Sequence, residues 1–104
     1  MLVAYEVSLD LIRSIRPIVE VLAARDKDLA DQMQRAATSV CLNIGEGSRR
    51  AKGDPRRFYS YANGSAMEVK AALDAAEAWG WITSAEVPRQ LLDRLLGLLW
   101  GLTH

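Results

Sequence analysis

Four times along this chain apolar residues return every three or four positions, the beat of an amphipathic helix. Nowhere do apolar and polar residues alternate long enough to make a half-buried strand, and no Asn-Gly hairpin turn joins such runs. That rhythm restricts the fold to an all-α one. The first segment, about 6–24, places Val7, Leu11, Ile15, Ile18 and Leu22 on one stripe, widened by Ile12 and Val19. Pro17 removes one backbone hydrogen bond and crowds the carbonyl of Arg13, so the helix is expected to kink there. It should not break, because the stripe stays in phase through the proline.

The second segment, about 28–50, aligns Leu29, Met33, Ala36, Ala37, Val40 and Ile44. The stretch RAKGDPRR interrupts it, with Gly53 read as the stop, Asp54 as an N-cap and Pro55 as the first residue of the next helix. The third segment, about 54–79, carries Phe58, Ala62, Val69, Leu73 and Ala76 on its core face, and its flank holds Gly64, Ala71 and Ala75. After Gly80, Thr83 and Glu86 read as a capping box opening a last helix near 84–102. Its leucines at 91, 92, 95, 96, 98, 99 and 102, with Trp100, cover more of the circumference than one core seam needs. Short joins force sequential helices to be antiparallel neighbours, giving one up-down-up-down four-helix bundle over residues 1–104.

Beside the apolar stripe of the second helix runs a polar one. Gln32, Arg35, Ser39, Asn43, Glu46 and Arg50 recur at three- and four-residue steps, and the third helix answers with Asn63, Gly64, Ser65 and Glu68. Facing amides, hydroxyls and carboxylates satisfy one another and fix helix register. Arg35, Ser39, Asn43, Glu46, Ser65 and Glu68 therefore read as a structural polar network, with Arg35 and Asn43 as the partners of Glu46.

The pattern QMQRAATSVCLNIGEGSRR, then a short basic loop, then RRFYSYANGSAMEVKAAL, resembles the four-helix bundle family encoded in intervening sequences of bacterial 23S ribosomal RNA genes. The accessory proteins of diversity-generating retroelements are similar in fold to that family. The resemblance spans about residues 5–82. It rests on Arg35-Ala36-Ala37, Ser39, Asn43 and Glu46-Gly47, together with Phe58, Ala62, Gly64-Ser65 and Glu68. It implies a homo-oligomer, typically a pentamer, without established enzymatic activity. For the retroelement proteins it implies basic surfaces that bind nucleic acid and a reverse transcriptase.

Chemistry finds little support in the residues. Glu46 and Glu68 are the conceivable acid–base pair, but a structural role in the polar stripe fits them better. The one histidine, His104, leaves no Ser-His-Asp set and no di-metal bundle, which needs a Glu-x-x-His pair on each of two helices. There is no phosphate loop of the Gly-x-x-x-x-Gly-Lys type and no Cys-x-x-Cys pair. No enzyme, cofactor or metal is expected. Cys41 reads as a small buried hydrophobe. The N-terminal MLVAYEVSLD has no signal-peptide pattern and no apolar run reaches a membrane span, so a cytoplasmic protein is expected.

The chain has 13 basic and 13 acidic residues. Such balance excludes a surface basic throughout but not a local patch. Arg49, Arg50, Lys52, Arg56 and Arg57 fall within residues 49–57, opposed there by Asp54 alone, and form the candidate nucleic-acid contact. Tyr59 and Tyr61 follow, with Tyr61 placed near the core face. The tryptophans at 79, 81 and 100 read as core, Trp81 being the one expected at a subunit interface. The functional expectation is an oligomeric accessory or scaffold protein that touches DNA or RNA through the basic loop. The alternative is a purely structural assembly module that holds a protein partner on its apolar fourth helix.

Overall fold

The computed structural model describes residues 2–50 and 53–104. The chain forms helices α1 (Val3–Ala23), α2 (Lys27–Ser48), α3 (Pro55–Ala78) and α4 (Glu86–Thr103), with no strand among the described residues. Each helix packs on the one before it and the one after it, and α4 closes the ring against α1. Contacts give the directions. Tyr5 lies on Gly45 near the start of α1 and the end of α2, and Ser39 meets Ser65 at mid-helix. Tyr59 lies on Gly47, and Arg89 reaches Asp74 and Glu77. Successive helices are therefore antiparallel, as their short joins require.

The core is the apolar stripe read from the sequence. Val7, Leu11, Ile15 and Leu22 of α1 are buried against Met33, Val40 and Ile44 of α2. Val69 and Leu73 of α3 and Leu92, Leu95 and Leu99 of α4 complete it. Helix α1 starts at Val3 and runs unbroken through Pro17. Both Arg13 and Pro17 are exposed, so water can satisfy the carbonyl the proline orphans. Ser8 is fully buried, and its hydroxyl donates back to the Tyr5 carbonyl at 2.6 Å. Cys41 is buried as expected.

The helix ends obey different rules from one another. Asp26 caps α2 by accepting from the Leu29 N–H, and Asp54 caps α3 by accepting from Arg56 with Pro55 following it. Helix α2 stops at Ser48, before the expected boundary and without Gly53, whose φ of 106° instead turns the chain into Asp54. Gly80, with φ 77°, does end α3: Trp81 N–H bonds to the Ala76 carbonyl and Gly80 N–H to that of Glu77, the six-to-one and five-to-two pair of a Schellman motif. The capping box at Thr83 and Glu86 does not form. Ala85 is drawn into the core and takes the N-cap position, and Pro88 in the first turn has no N–H to satisfy.

Most of the leucine-rich surface of α4 is taken up within one bundle. Leu91, Leu96, Leu98 and Leu102 pack half-buried against the core, and Trp100 remains exposed. Trp79 and Trp100 depart from the core reading, whereas Trp81 packs half-buried against the core. Trp79 is 71 % exposed and stacks on half-buried Trp81 with centroids 5.7 Å apart. Capping α3 at Gly80 leaves Trp79 outside the last buried turn.

Among the glycines, the closest approach is at Gly47, between α2 and α3. A Cβ on Gly47 would stand 2.7 Å from the ring of Tyr59, which is buried. Helix propensity favours alanine over glycine by about 1 kcal/mol, but an atom forced into a packed ring costs roughly 1–3 kcal/mol. Gly47→Ala is expected to lower the stability read by urea denaturation. Gly64→Ala, where nothing lies within 4 Å, is expected to leave it equal or higher.

Candidate functional site

The polar stripe resolves into two separate groups. At mid-bundle the Ser39 and Ser65 hydroxyls share a hydrogen bond of 2.9 Å between α2 and α3. Asn43 donates from one turn away to the Ser39 carbonyl at 2.9 Å and to its hydroxyl at 3.1 Å. These three residues are half-buried, and no buried polar side-chain atom among the described residues lacks a partner. Arg35 and Glu68 do not join them. Both are exposed, and neither makes an ion pair or side-chain hydrogen bond among the described residues. Glu68 borders a shallow hollow of about 400 Å³ between α2 and α3, walled by Leu29, Gln32 and three alanines, where no cation faces it.

Glu46 belongs to the second group, at the end of the bundle. Its two oxygens accept from Arg49 at 2.8 Å and Arg50 at 2.7 Å, so its partners are these rather than Arg35 or Asn43. The i,i+3 and i,i+4 spacing on one helix explains the choice, because no interhelical reach is needed. Arg49 hydrogen bonding lowers the Glu46 pKa, partial burial opposes it, and Arg50 adds to the lowering. A carboxylate depressed in the folded state contributes stability above its unfolded pKa, and that contribution fades as acid protonates it. The Gln32 level, where Glu68 lies, is about 20 Å along α2 from Glu46, so the two carboxylates form no acid–base pair.

Around Glu46 the basic loop assembles. Asp54 stands 3.9 Å from Arg56, so four described arginines face two carboxylates instead of one. Lys52 lies outside the described residues. Phe58, placed in the core by sequence, sits half-buried at the edge with the Arg50 guanidinium 4.7 Å and that of Arg57 5.0 Å from its ring centre. Charges from the end of α2 and the start of α3 thus converge on one aromatic ring. Tyr61, expected near the core face, lies outside it, and Tyr59 is the tyrosine that is buried. Residues two apart on a helix point about 200° apart, and with Tyr59 buried on Gly47, Tyr61 is 53 % exposed. The Tyr61 ring meets Phe58 edge-on at 6.1 Å.

Sequence reasoning missed three features of this site. The Glu46 pairing was visible as helical spacing. The Phe58 clamp and exposed Tyr61 depended on which of two adjacent aromatic residues, Phe58 or Tyr59, won the core. Further away, Arg89 ties α4 to α3 through Glu77 at 3.0 Å and Asp74 at 2.8 Å. No helical spacing signals that pairing. No group of His, Cys, Asp and Glu among the described residues is arranged to hold a metal ion. No helix among them is long and apolar enough to cross a membrane.

This architecture defines an all-α protein of the four-helix bundle class. Its sequence matches the profile of the 23S rRNA-intervening sequence protein over residues 1–99, and the chain belongs to that family. The fold is similar to that of a protein of unknown function from the S23 ribosomal protein family of Bacteroides thetaiotaomicron VPI-5482. The TM-score is 0.87 at 21 % identity, covering 97 % of this chain and 98 % of that one. No curated protein matches the chain.

The serine bridge has a measurable weight. Ser65→Ala removes one half-buried hydrogen bond and is expected to cost about 1 kcal/mol. Ser39→Ala also takes an acceptor from Asn43 and should cost more. The double variant is expected to lose less than the two single losses together, because they share one bond, and thermal denaturation of the three variants measures this.

Proposed function

We propose that the protein is a non-enzymatic, oligomeric accessory or scaffold protein that binds nucleic acid through its basic end. The observation that supports this reading is the convergence of Arg49, Arg50, Arg56 and Arg57 from two helices onto one end of the bundle, with Phe58 holding two of their guanidiniums. Each phosphate contact releases condensed counterions, so binding falls steeply with salt. Glu46 and Asp54 cancel part of the charge, so one subunit makes a weak contact, and repetition around an oligomer multiplies it. No helix presents a row of base-reading side chains, and the binding is largely independent of sequence.

Self-association, as a pentamer by family resemblance, is the companion proposal. Leu42 of α2 is 65 % exposed, and Met67 of α3 and Trp100 of α4 are also open to solvent, apolar side chains that contact with a second subunit would cover. Static light scattering at micromolar concentration is expected to give a closed homo-oligomer, and a stable monomer contradicts it. The same Trp100, with exposed Val87, favours the second reading, a purely structural assembly module that holds a protein partner on its apolar α4.

One binding experiment separates the two readings. Changing Arg49, Arg50, Arg56 and Arg57 together to glutamine is expected to weaken low-salt binding to DNA and RNA greatly while the oligomer persists. Glu46→Gln frees two guanidiniums and is expected to tighten binding and steepen its salt dependence. Wild-type protein that shifts neither nucleic acid at low salt overturns the nucleic-acid reading and leaves the assembly module.

A further inference from the structure

We infer that the basic end selects unpaired over double-stranded nucleic acid, with the exposed Tyr61 ring as the surface on which a base stacks. The inference rests on the nucleic-acid reading above and goes beyond it by naming the form of strand.

Three aspects of the geometry carry it. First, Tyr61 is the open ring of an aromatic pair. Its neighbour Phe58 is half-buried and carries Arg50 and Arg57 close over its ring, so Phe58 anchors cations. Tyr61, edge-on to Phe58 and 53 % exposed, keeps ring surface for another partner. Second, Arg57 and Tyr61 are one helical turn apart on the same side of α3, separated by about 6 Å along the axis. That step is comparable to one extended nucleotide, with a phosphate at the guanidinium and a base at the ring. Third, Arg57 forms no ion pair among the described residues, unlike Arg49, Arg50 and Arg56. Its charge is the least compensated at this end of the bundle, and Phe58 holds it in place.

A duplex gains nothing from such a ring. Its base faces are stacked inside, and only its phosphates reach a surface of this kind. A single strand offers both phosphates and π-faces, and stacking is tolerant of base identity because every base has such a face. Electrostatics alone works in the opposite direction. Duplex DNA has the higher charge density and the steeper counterion release, so a surface made only of arginines favours the duplex. A preference for single strands is therefore the signature of the ring.

Fluorescence anisotropy of the intact protein at low salt, with labelled oligothymidylate, oligouridylate and a blunt DNA duplex, each about 20 nucleotides long, reads the preference directly. Both single strands are expected to bind more tightly than the duplex. Tyr61→Ala is expected to weaken single-strand binding roughly tenfold and leave duplex binding unchanged, while Tyr61→Phe retains the wild-type preference. The side chain is largely outside the core, and circular dichroism and light scattering check that fold and assembly survive. Duplex bound as tightly as the single strands, or a Tyr61→Ala loss equal for all three, overturns the inference while the nucleic-acid reading stands. Absence of binding to all three overturns both.

Discussion

The contact on which the rest of this bundle depends is the approach of α2 to α3 at Gly47. With Tyr59 buried against a backbone that has no side chain, the end of α2 and the start of α3 come closer than any residue larger than glycine permits. Small residues also line the buried faces of the two helices, with Ala36 of α2 and Ala62, Ala66 and Ala76 of α3 all buried. The Ser39–Ser65 bond then fixes the register that alanines specify loosely. The chain reverses immediately beyond this contact. Arginines 49 and 50 on one helix end and 56 and 57 on the next are therefore brought together. Phe58, displaced from the core by Tyr59, is left where two guanidiniums can lie over it. The packing of one glycine determines the shape of the charged site.

Net charge conceals how the ions are placed. The chain is neutral overall, yet the α2–α3 turn gathers arginines, while the opposite end of the bundle carries Asp26, Asp28, Asp74, Glu77 and Glu86 interleaved with Arg25 and Lys27. At a Debye length of about 8 Å in physiological salt, charges some 30 Å apart on the long axis do not compensate one another. What a phosphate senses near Arg57 is the local set: four described guanidiniums, with Glu46 and Asp54 paired to three of them and Glu6 of α1 at the same end. The acidic end also holds Arg89, whose bonds to Glu77 and Asp74 cross from α4 to α3. The side chains there are partly exposed, and the pairing adds only modest stability.

Helix number, helix faces and most of the core were legible in the sequence, because a 3.6-residue apolar beat leaves little choice about what is buried. Family membership was legible for the same region, since the Arg35–Gly47 and Phe58–Glu68 motifs lie inside it. What escaped the sequence were choices between near-equal neighbours. Phe58 and Tyr59 both lie near the α3 stripe, and a glycine across the interface decided for Tyr59. Thr83 offered a cap, but the apolar pull on Ala85 moved the helix start past it. Arg35 and Asn43 were plausible partners for Glu46 by shared face. Arg49 and Arg50 were nearer, and pairing within one turn costs less side-chain freedom than reaching between helices. The Arg89 bridge depended on how α3 and α4 align, which no local pattern encodes.

Glu46 gives the site its character. A carboxylate among arginines lowers the attraction for phosphate, yet it also holds Arg49 and Arg50 in defined positions before any ligand arrives. Guanidiniums already ordered lose less freedom on binding than free ones, so part of the lost charge returns as a smaller ordering cost. Phe58 orders Arg50 and Arg57 without neutralising either. A site arranged this way has weak long-range pull and well-placed donors. On the nucleic-acid proposal, such a surface would draw its strength from repetition and its discrimination from the ring beside the charges. A bare cluster of lysines gives the reverse, strong attraction without preference. One restraining carboxylate, one anchoring phenylalanine and one exposed tyrosine are the features of this turn on which that proposal rests.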